Sequence, residues 1–257
     1  MATACFKQEG QLGEIVIDNP PSNLFSTSLI ADLTEAARQA AQSDARALVL
    51  RASGPAFSTG ADVSIFAGLD ETSAVELMVT VQLLIQSIEA LTFPTVALVH
   101  GRCFAGALEV SLACDLIWAA AGTQMGQLEA LVGAFPFAGG TQRLAARIGA
   151  SRAAEMVLSA GIYPAEQMQD WGLVNRVVSA DHLQPEGREF ANTLALGPPL
   201  AHQATKRILR TWQSEGIAAA DQIMRTEGTA VILSTDLQDG VASLTRSGRG
   251  HADFTGN

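Results

Sequence analysis

The chain has 257 residues, is 48% hydrophobic and carries a formal net charge of −10. That apolar content supports a sizeable core and excludes a disordered chain, while the acidic balance excludes the broad basic footprint of a nucleic-acid binder. The length fits one large α/β domain, or one domain with a helical appendage.

Residues 1–10 include Lys7 and Glu9 and contain no apolar run of signal-peptide length. No later segment reaches the ~18 uncharged apolar residues of a spanning helix, so a soluble, unexported protein with no membrane partner is expected. Residues 13–18 alternate Ile15 and Ile17 with polar partners and read as a strand. Residues 26–42 are rich in Ala and Leu and read as a helix, followed by an apolar strand over 46–51. A second helix is predicted over 70–91, where Val75, Met78, Val81 or Gln82 and Ile85 fall near helical spacing. Buried strands follow at 95–99 and 116–120, with a short apolar helix over 109–113 between them. Strands alternating with helices argue for an α/β fold.

A further helix begins at 181, and Gly197-Pro198-Pro199 ends it, because two prolines cannot continue a helix. The domain boundary is placed there, giving 1–197 and 198–257. The remainder is helical in pattern, over 200–212, 217–234 and 236–244, with too little chain for an independent core, so it must pack on something.

Three cysteines, Cys5, Cys103 and Cys114, lack the paired close spacing of a zinc site and read as free thiols in a reducing compartment, by default the cytoplasm. His100, His182, His202 and His251 are scattered, so no metal site is expected. His100 and Cys103 invite a thiol nucleophile with its base, but no third orienting group is visible and strand-to-turn packing explains them better. The segment 101–106 lacks the G-x-G-x-x-G spacing of a dinucleotide site, and no G-K-[ST] of a phosphate loop follows.

Glu109 and Glu129 stand twenty positions apart, each near a glycine-rich turn. A carboxylate pair can activate water with one member and deliver a proton with the other when their environments push the two pKa values apart. Gly60-Ala61 and Gly106-Ala107 leave backbone N–H groups free of bulky cover, as an oxyanion site needs, and Ala61 follows a glycine at the predicted start of a short helix. Taken singly, each has a plain structural reading: a tight turn, a helix-start carboxylate, a loop residue.

Read in order, Phe57-Ser58-Thr59-Gly60-Ala61-Asp62-Val63, His100-Gly101, Ala105-Gly106-Ala107-Leu108-Glu109, Cys114-Asp115, Gly126-Gln127-Leu128-Glu129 and Pro136-Phe137-Ala138-Gly139-Gly140-Thr141-Gln142-Arg143 resemble the enoyl-CoA hydratase (crotonase) family. Several motifs recur in one order between residues 15 and 254, which a lone glycine pattern does not offer. The resemblance implies a spiral of ββα units, with C-terminal helices that build a homotrimer or homohexamer. It implies an oxyanion hole formed by the N–H groups of Ala61 and Gly106, and a CoA border along Ala61, Asp62, Val63 and Ser64. Glu109 becomes the base that deprotonates water and Glu129 the acid that protonates the α-carbon.

The implied activity is hydration of a 2-enoyl-CoA to a 3-hydroxyacyl-CoA, with an acyl-CoA thioester as partner and no cofactor, since coenzyme A is part of the substrate. Enoyl-CoA isomerisation through one carboxylate, or an acyl-CoA-binding scaffold with little turnover, stay open. Three positions depart from the family. Ser64 replaces a lysine common in hydratases, leaving Arg51, Arg102, Lys206, Arg246 or Arg249 to meet the CoA phosphates. Leu128 replaces a proline before Glu129. Phe137 replaces a glycine and, with Phe135, either lines the acyl pocket or packs in the core.

Overall fold

The computed structural model describes residues 3–247 and 253–257. A hairpin of β1 (Ala4–Glu9) and β2 (Leu12–Ile17) leads into helix α1 (Thr27–Ala41) and β3 (Ala47–Ala52). A 3₁₀ turn (Val63–Phe66) and α2 (Glu71–Glu89) precede β4 (Thr95–Val99), β5 (Arg102–Phe104) and α3 (Gly106–Ala113). Then come β6 (Leu116–Ala120), β7 (Gln124–Gly126), a second 3₁₀ turn (Glu129–Val132), α4 (Gly140–Ile148) and α5 (Ala150–Ser159). The short β8 (Tyr163–Pro164), α6 (Ala165–Asp170) and β9 (Arg176–Val178) precede α7 (Ala180–Ala195) and the closing helices α8 (Pro199–Glu215), α9 (Ile217–Leu233) and α10 (Thr235–Ser247).

The strands form a six-stranded sheet, β1-β2-β3-β4-β6-β9, and a three-stranded sheet, β5-β7-β8. Every neighbour pair of the larger sheet is parallel except the β1–β2 hairpin. Such a sheet is buried on both faces, and β2 shows the consequence: Ile15, Val16 and Ile17 are all buried, so the alternation expected there is absent. Its buried Glu14 is held by Arg51 at 3.1 Å and by Arg188.

The spiral follows from how the two sheets share the chain. After β3, Ser58 bridges to Cys103 of β5; β4 runs into β5, and β6 into β7. Each turn of the chain thus gives a strand to the large sheet and an extended segment to the small one before a helix carries it onward. Helices α1, α2 and α3 cover one face with Leu29, Leu33, Ile85 and Leu108, whereas α7 covers the other, placing Leu183 and Ala191 against Val49, Leu98 and Trp118.

Local signals set the helix ends. Ser26 caps α1 by accepting from the Leu29 N–H, and Asp70 with Ser73 forms a capping box on α2. The cavity-facing stripe of α2 is Ala74, Leu77, Met78, Val81, Leu84 and Ile85, so Met78, Val81 and Ile85 lie on the expected apolar face, while Val75 is exposed. Pro199 does not merely end a helix; it opens α8 at the first helical position, where its missing N–H costs nothing.

The closing helices are tied inward. Lys206 on α8 is buried and donates to Asp115 at 2.6 Å and to the Phe93 carbonyl at 2.7 Å. Asp236 accepts from the Thr255 and Gly256 N–H groups, and Arg46 donates to the carbonyls of Phe254 and Thr255. No helix among the described residues is long and apolar enough to cross a membrane.

Candidate active site

Helix α3 is the buried axis of the site: every residue from Ala107 to Ala113 is buried. Its start is set by Ala105, whose φ of 50° turns the chain out of β5. The helix therefore begins at Gly106, three residues earlier than the sequence suggests, and Glu109 lies at the end of its first turn rather than at its start. As the first helical residue, Gly106 has an N–H without an intrahelical partner.

Ala61 approaches from a different part of the chain. It forms an isolated parallel bridge with Phe25, in which the Phe25 N–H donates to Gly60 and the Asp62 N–H donates to Phe25. The 3₁₀ turn that follows is capped by Asp62, so Ala61 lies outside it, contrary to the expected helix-start position. The bridge leaves the Ala61 N–H unused. Among the described residues, neither the Ala61 nor the Gly106 N–H has a protein hydrogen-bond partner.

Both residues line a cavity of about 410 Å³ together with Glu109 and Glu129. The rest of the wall is apolar apart from Thr59: Phe25 and Ile30 from one side, the α2 stripe from another, and Leu128, Val132 and Phe137 opposite. Among the described residues the lining holds no lysine, arginine or histidine.

Glu109 is 3% exposed, and its Oε1 accepts from the Gly140 N–H at 2.8 Å at the start of α4. Burial pushes its pKa up to about 7; the neighbouring Glu129 charge adds to the rise, while the Gly140 and Ala138 backbone and Arg143 oppose it. Gly140 is tightly enclosed: a Cβ there would meet the Gln127 amide, the Glu109 side chain and Pro136 within about 3 Å, so the first of these would have to shift. Glu129 is half-buried at the head of the second 3₁₀ turn, and burial pushes it up to about 7 as well. The buried Gln127 amide, in the orientation that gives its NH₂ acceptors, donates to both Glu129 oxygens at 2.9 and 3.1 Å. That contact favours the carboxylate and pulls against the rise.

Of the residues expected along the CoA border, Ala61 and Val63 line the cavity. Asp62 and Ser64 do not; both the N–H and the hydroxyl of Ser64 donate to Asp62 Oδ1, so the two satisfy each other as a local cap. Of the cations expected to meet phosphates, Lys206 is paired with Asp115 and Arg51 with Glu14. Arg102 is exposed at the start of β5, Arg246 donates to Ala242 of its own helix, and Arg249 lies outside the described residues. Phe137 lines the cavity and touches Phe66 at 5.5 Å between ring centroids, with the exposed Phe135 packed edge-on behind it at 4.8 Å. Neither is a core aromatic. The φ of Leu128, −98°, lies outside proline's range, and its side chain joins the cavity wall.

The thiol alternative is absent from the geometry. Cys103 is fully buried, its thiol pushed up to about 12, and His100 uses Nε2 on the Gly54 carbonyl. Among the described residues no cluster of three or more His, Cys, Asp or Glu is arranged to hold a metal ion.

Residues 7–246 match the model of the family described as enoyl-CoA hydratase/isomerase. The chain belongs to that family. It is similar to an enoyl-CoA isomerase/hydratase of Mycosarcoma maydis, fer4, at 32% identity over 75% of this chain and 74% of that one. It is also similar to the 2,3-dehydroadipyl-CoA hydratase of Escherichia coli, at 31% identity over 88% and 87%. A solved structure titled as enoyl-CoA hydratase subunit I from Geobacillus kaustophilus superposes with a TM-score of 0.92 at 30% identity, covering 99% and 98%. The crotonase fold expected from the motifs is the fold observed.

Proposed function

We propose that this member of the family is an enoyl-CoA hydratase, adding water to a 2-enoyl-CoA to give a 3-hydroxyacyl-CoA. The observation that carries the reading is one cavity wall bearing two buried or half-buried carboxyls and two unpartnered backbone N–H groups. In this reading the thioester oxygen accepts from Ala61 and Gly106, which makes C3 electrophilic and stabilises the enolate. One such donor is worth roughly 2.7–4 kcal/mol in comparable sites. Glu109 takes the proton of the attacking water, and Glu129 delivers a proton to the α-carbon. No cofactor is required, because coenzyme A arrives with the substrate. Whereas the name of the Escherichia coli relative implies an acyl group with a second carboxylate, no basic side chain among the described residues lines this cavity, which favours a hydrocarbon acyl chain.

The Mycosarcoma maydis relative carries isomerase in its name, so the test must separate the two activities. Hydration, 3-enoyl to 2-enoyl isomerisation and α-deuterium exchange are measured for the parent, Glu109→Gln and Glu129→Gln. A hydratase loses hydration by ~10²–10⁴-fold in either variant, the usual reach of one acid–base group. Isomerisation that survives loss of Glu109 makes the chain an isomerase, and a parent silent in all three assays that still binds CoA esters is a scaffold.

The same reading divides the chain into a catalytic region, 1–197, and an assembly region, 198–257. Exposed Leu209, Trp212, Ile217, Ile232, Leu233 and Leu244 on α8 to α10 support burial against other copies, in a homotrimer or homohexamer.

A further inference from the structure

Arg143 closes the glycine-rich motif that runs into α4, yet it has no place in the chemistry above. It lies in the first turn of α4, one turn after the Gly140 that donates to Glu109. Its whole fork is engaged: Nε and Nη2 donate to the two Glu89 carboxylate oxygens at 2.7 Å each, and Nη1 reaches the carbonyls of Gly139 and Ala138 at 3.2 and 3.4 Å. The pair is mostly shielded, with 22% and 33% of the side chains exposed. Gly139, at φ 91°, is packed so closely under the guanidinium that a Cβ there would collide with it. Glu89 is the last residue of α2, one turn beyond the Leu84 and Ile85 that line the cavity.

We propose that the Glu89–Arg143 ion pair is a positioning device for Glu109, fixing the Gly139–Gly140 turn against α2 so that the Gly140 N–H stays aimed at the carboxylate. Both residues are positioning residues; neither lines the cavity. The bidentate geometry suits this task, because a planar fork constrains orientation as well as distance. The charged groups facing Glu109 are Glu129, which disfavours its ionisation, and Arg143, which favours it alongside the backbone of Gly140 and Ala138. Releasing the turn removes the Gly140 donor and moves the positive charge away, and both changes act in one direction, making Glu109 harder to ionise.

The inference rests on Glu109 being the base of the proposed hydration, so it is tested with one readout that needs no turnover. Glu109 is titrated directly by carboxyl-carbon NMR, assigned by its loss in Glu109→Gln, in the parent, Arg143→Met and Glu89→Gln. The full chain is used throughout, and folding is checked by circular dichroism and melting. Both variants are expected to raise the Glu109 midpoint, Arg143→Met by about one unit or more and Glu89→Gln by less, because the Arg143 charge remains. They should also shift the acidic limb of the hydration profile upward by the same amount and lower kcat at pH 7 by about ten-fold, with KM within about three-fold. A merely structural ion pair would lower the melting temperature and leave the midpoint in place. Glu89→Gln keeps the side chain's size, so it carries the test if Arg143→Met does not fold. An unchanged midpoint in either folded variant overturns the proposal, whereas a shifted midpoint in a chain whose parent does not hydrate sustains the positioning role and overturns the hydratase reading instead.

Discussion

Glu109 is in an unusual position for a carboxyl: almost fully buried, beside a second carboxyl, and held by the Gly140 N–H. Its folded pKa, about 7, stands above the ordinary 4.5, so the folded state keeps a proton that the unfolded chain gives up between those values. Stability therefore falls as pH rises through that window and levels off above it. Glu109→Gln cannot ionise and retains an oxygen for the Gly140 N–H. Its stability should match the parent near pH 4 and exceed it above pH 7 by up to ~3 kcal/mol, the free energy of a shift this size. Denaturant unfolding at pH 5 and pH 8 measures the difference, and equal gains at both pH values would contradict the burial account. The same two pKa values set the rate profile: with base and acid both near 7, kcat/KM should be bell-shaped with a narrow maximum close to neutrality, its limbs belonging to the coupled pair. That Ala61, Gly106, Glu109 and Glu129 line one cavity was legible in the sequence, because their motifs follow one order and spacing. Gln127 and Gly140 were not assigned roles, because their contacts to the two glutamates depend on how the chain crosses itself rather than on local pattern. The mutual contact of Asp62 and Ser64 was likewise invisible, since a short polar pair beside a turn announces no partner in the sequence.

At the scale of elements, the strands at 95–99 and 116–120 were readable to the residue, since buried parallel strands are short apolar runs between breakers. The small sheet was invisible, its members only two or three residues long and carrying no period. The start of α3 was also missed, because Ala105 and Gly106 announce no cap. That start is where Gly106→Pro acts. Proline is tolerated at a first helical position, and the nearest foreign atoms to a Cβ at 106 lie 3.8 Å away, on Phe25, so the change deletes chiefly one N–H donor. Turnover should fall by at least ~10²-fold in a variant with parent-like circular dichroism, and unchanged turnover would remove Gly106 from the mechanism. On the opposite wall, Phe137 joins its loop to the first 3₁₀ turn through Phe66. Phe137→Gly should shift preference toward longer or branched enoyl-CoAs by roughly 1–3 kcal/mol in kcat/KM, read from a chain-length panel. An identical panel would mean that the ring meets no acyl group.

For the whole molecule, the question is what the last three helices are for. They meet the spiral through specific ties: Lys206 buried on Asp115 and Phe93, and the tail of residues 253–257 held between Asp236 and Arg46. Asp115 also accepts from the N–H and hydroxyl of Thr95, so its carboxylate serves the start of β4 as well as α8. Removing residues 200–257 leaves Asp115 without its cation and uncovers the surface against which α8 lies. The uncovered surface includes apolar groups that α8 shields in the full chain, and exposing a contiguous apolar patch promotes association. The truncated chain is therefore expected to be insoluble or aggregating. The exposed apolar residues on α8 to α10 argue for association of the full chain, and the family resemblance implies that it runs as a multiple of three copies. Size-exclusion chromatography with light scattering decides both points. A soluble, monodisperse truncated monomer would show that the spiral is self-sufficient, and a monomeric full chain would leave the apolar faces of the closing helices without the role proposed for them.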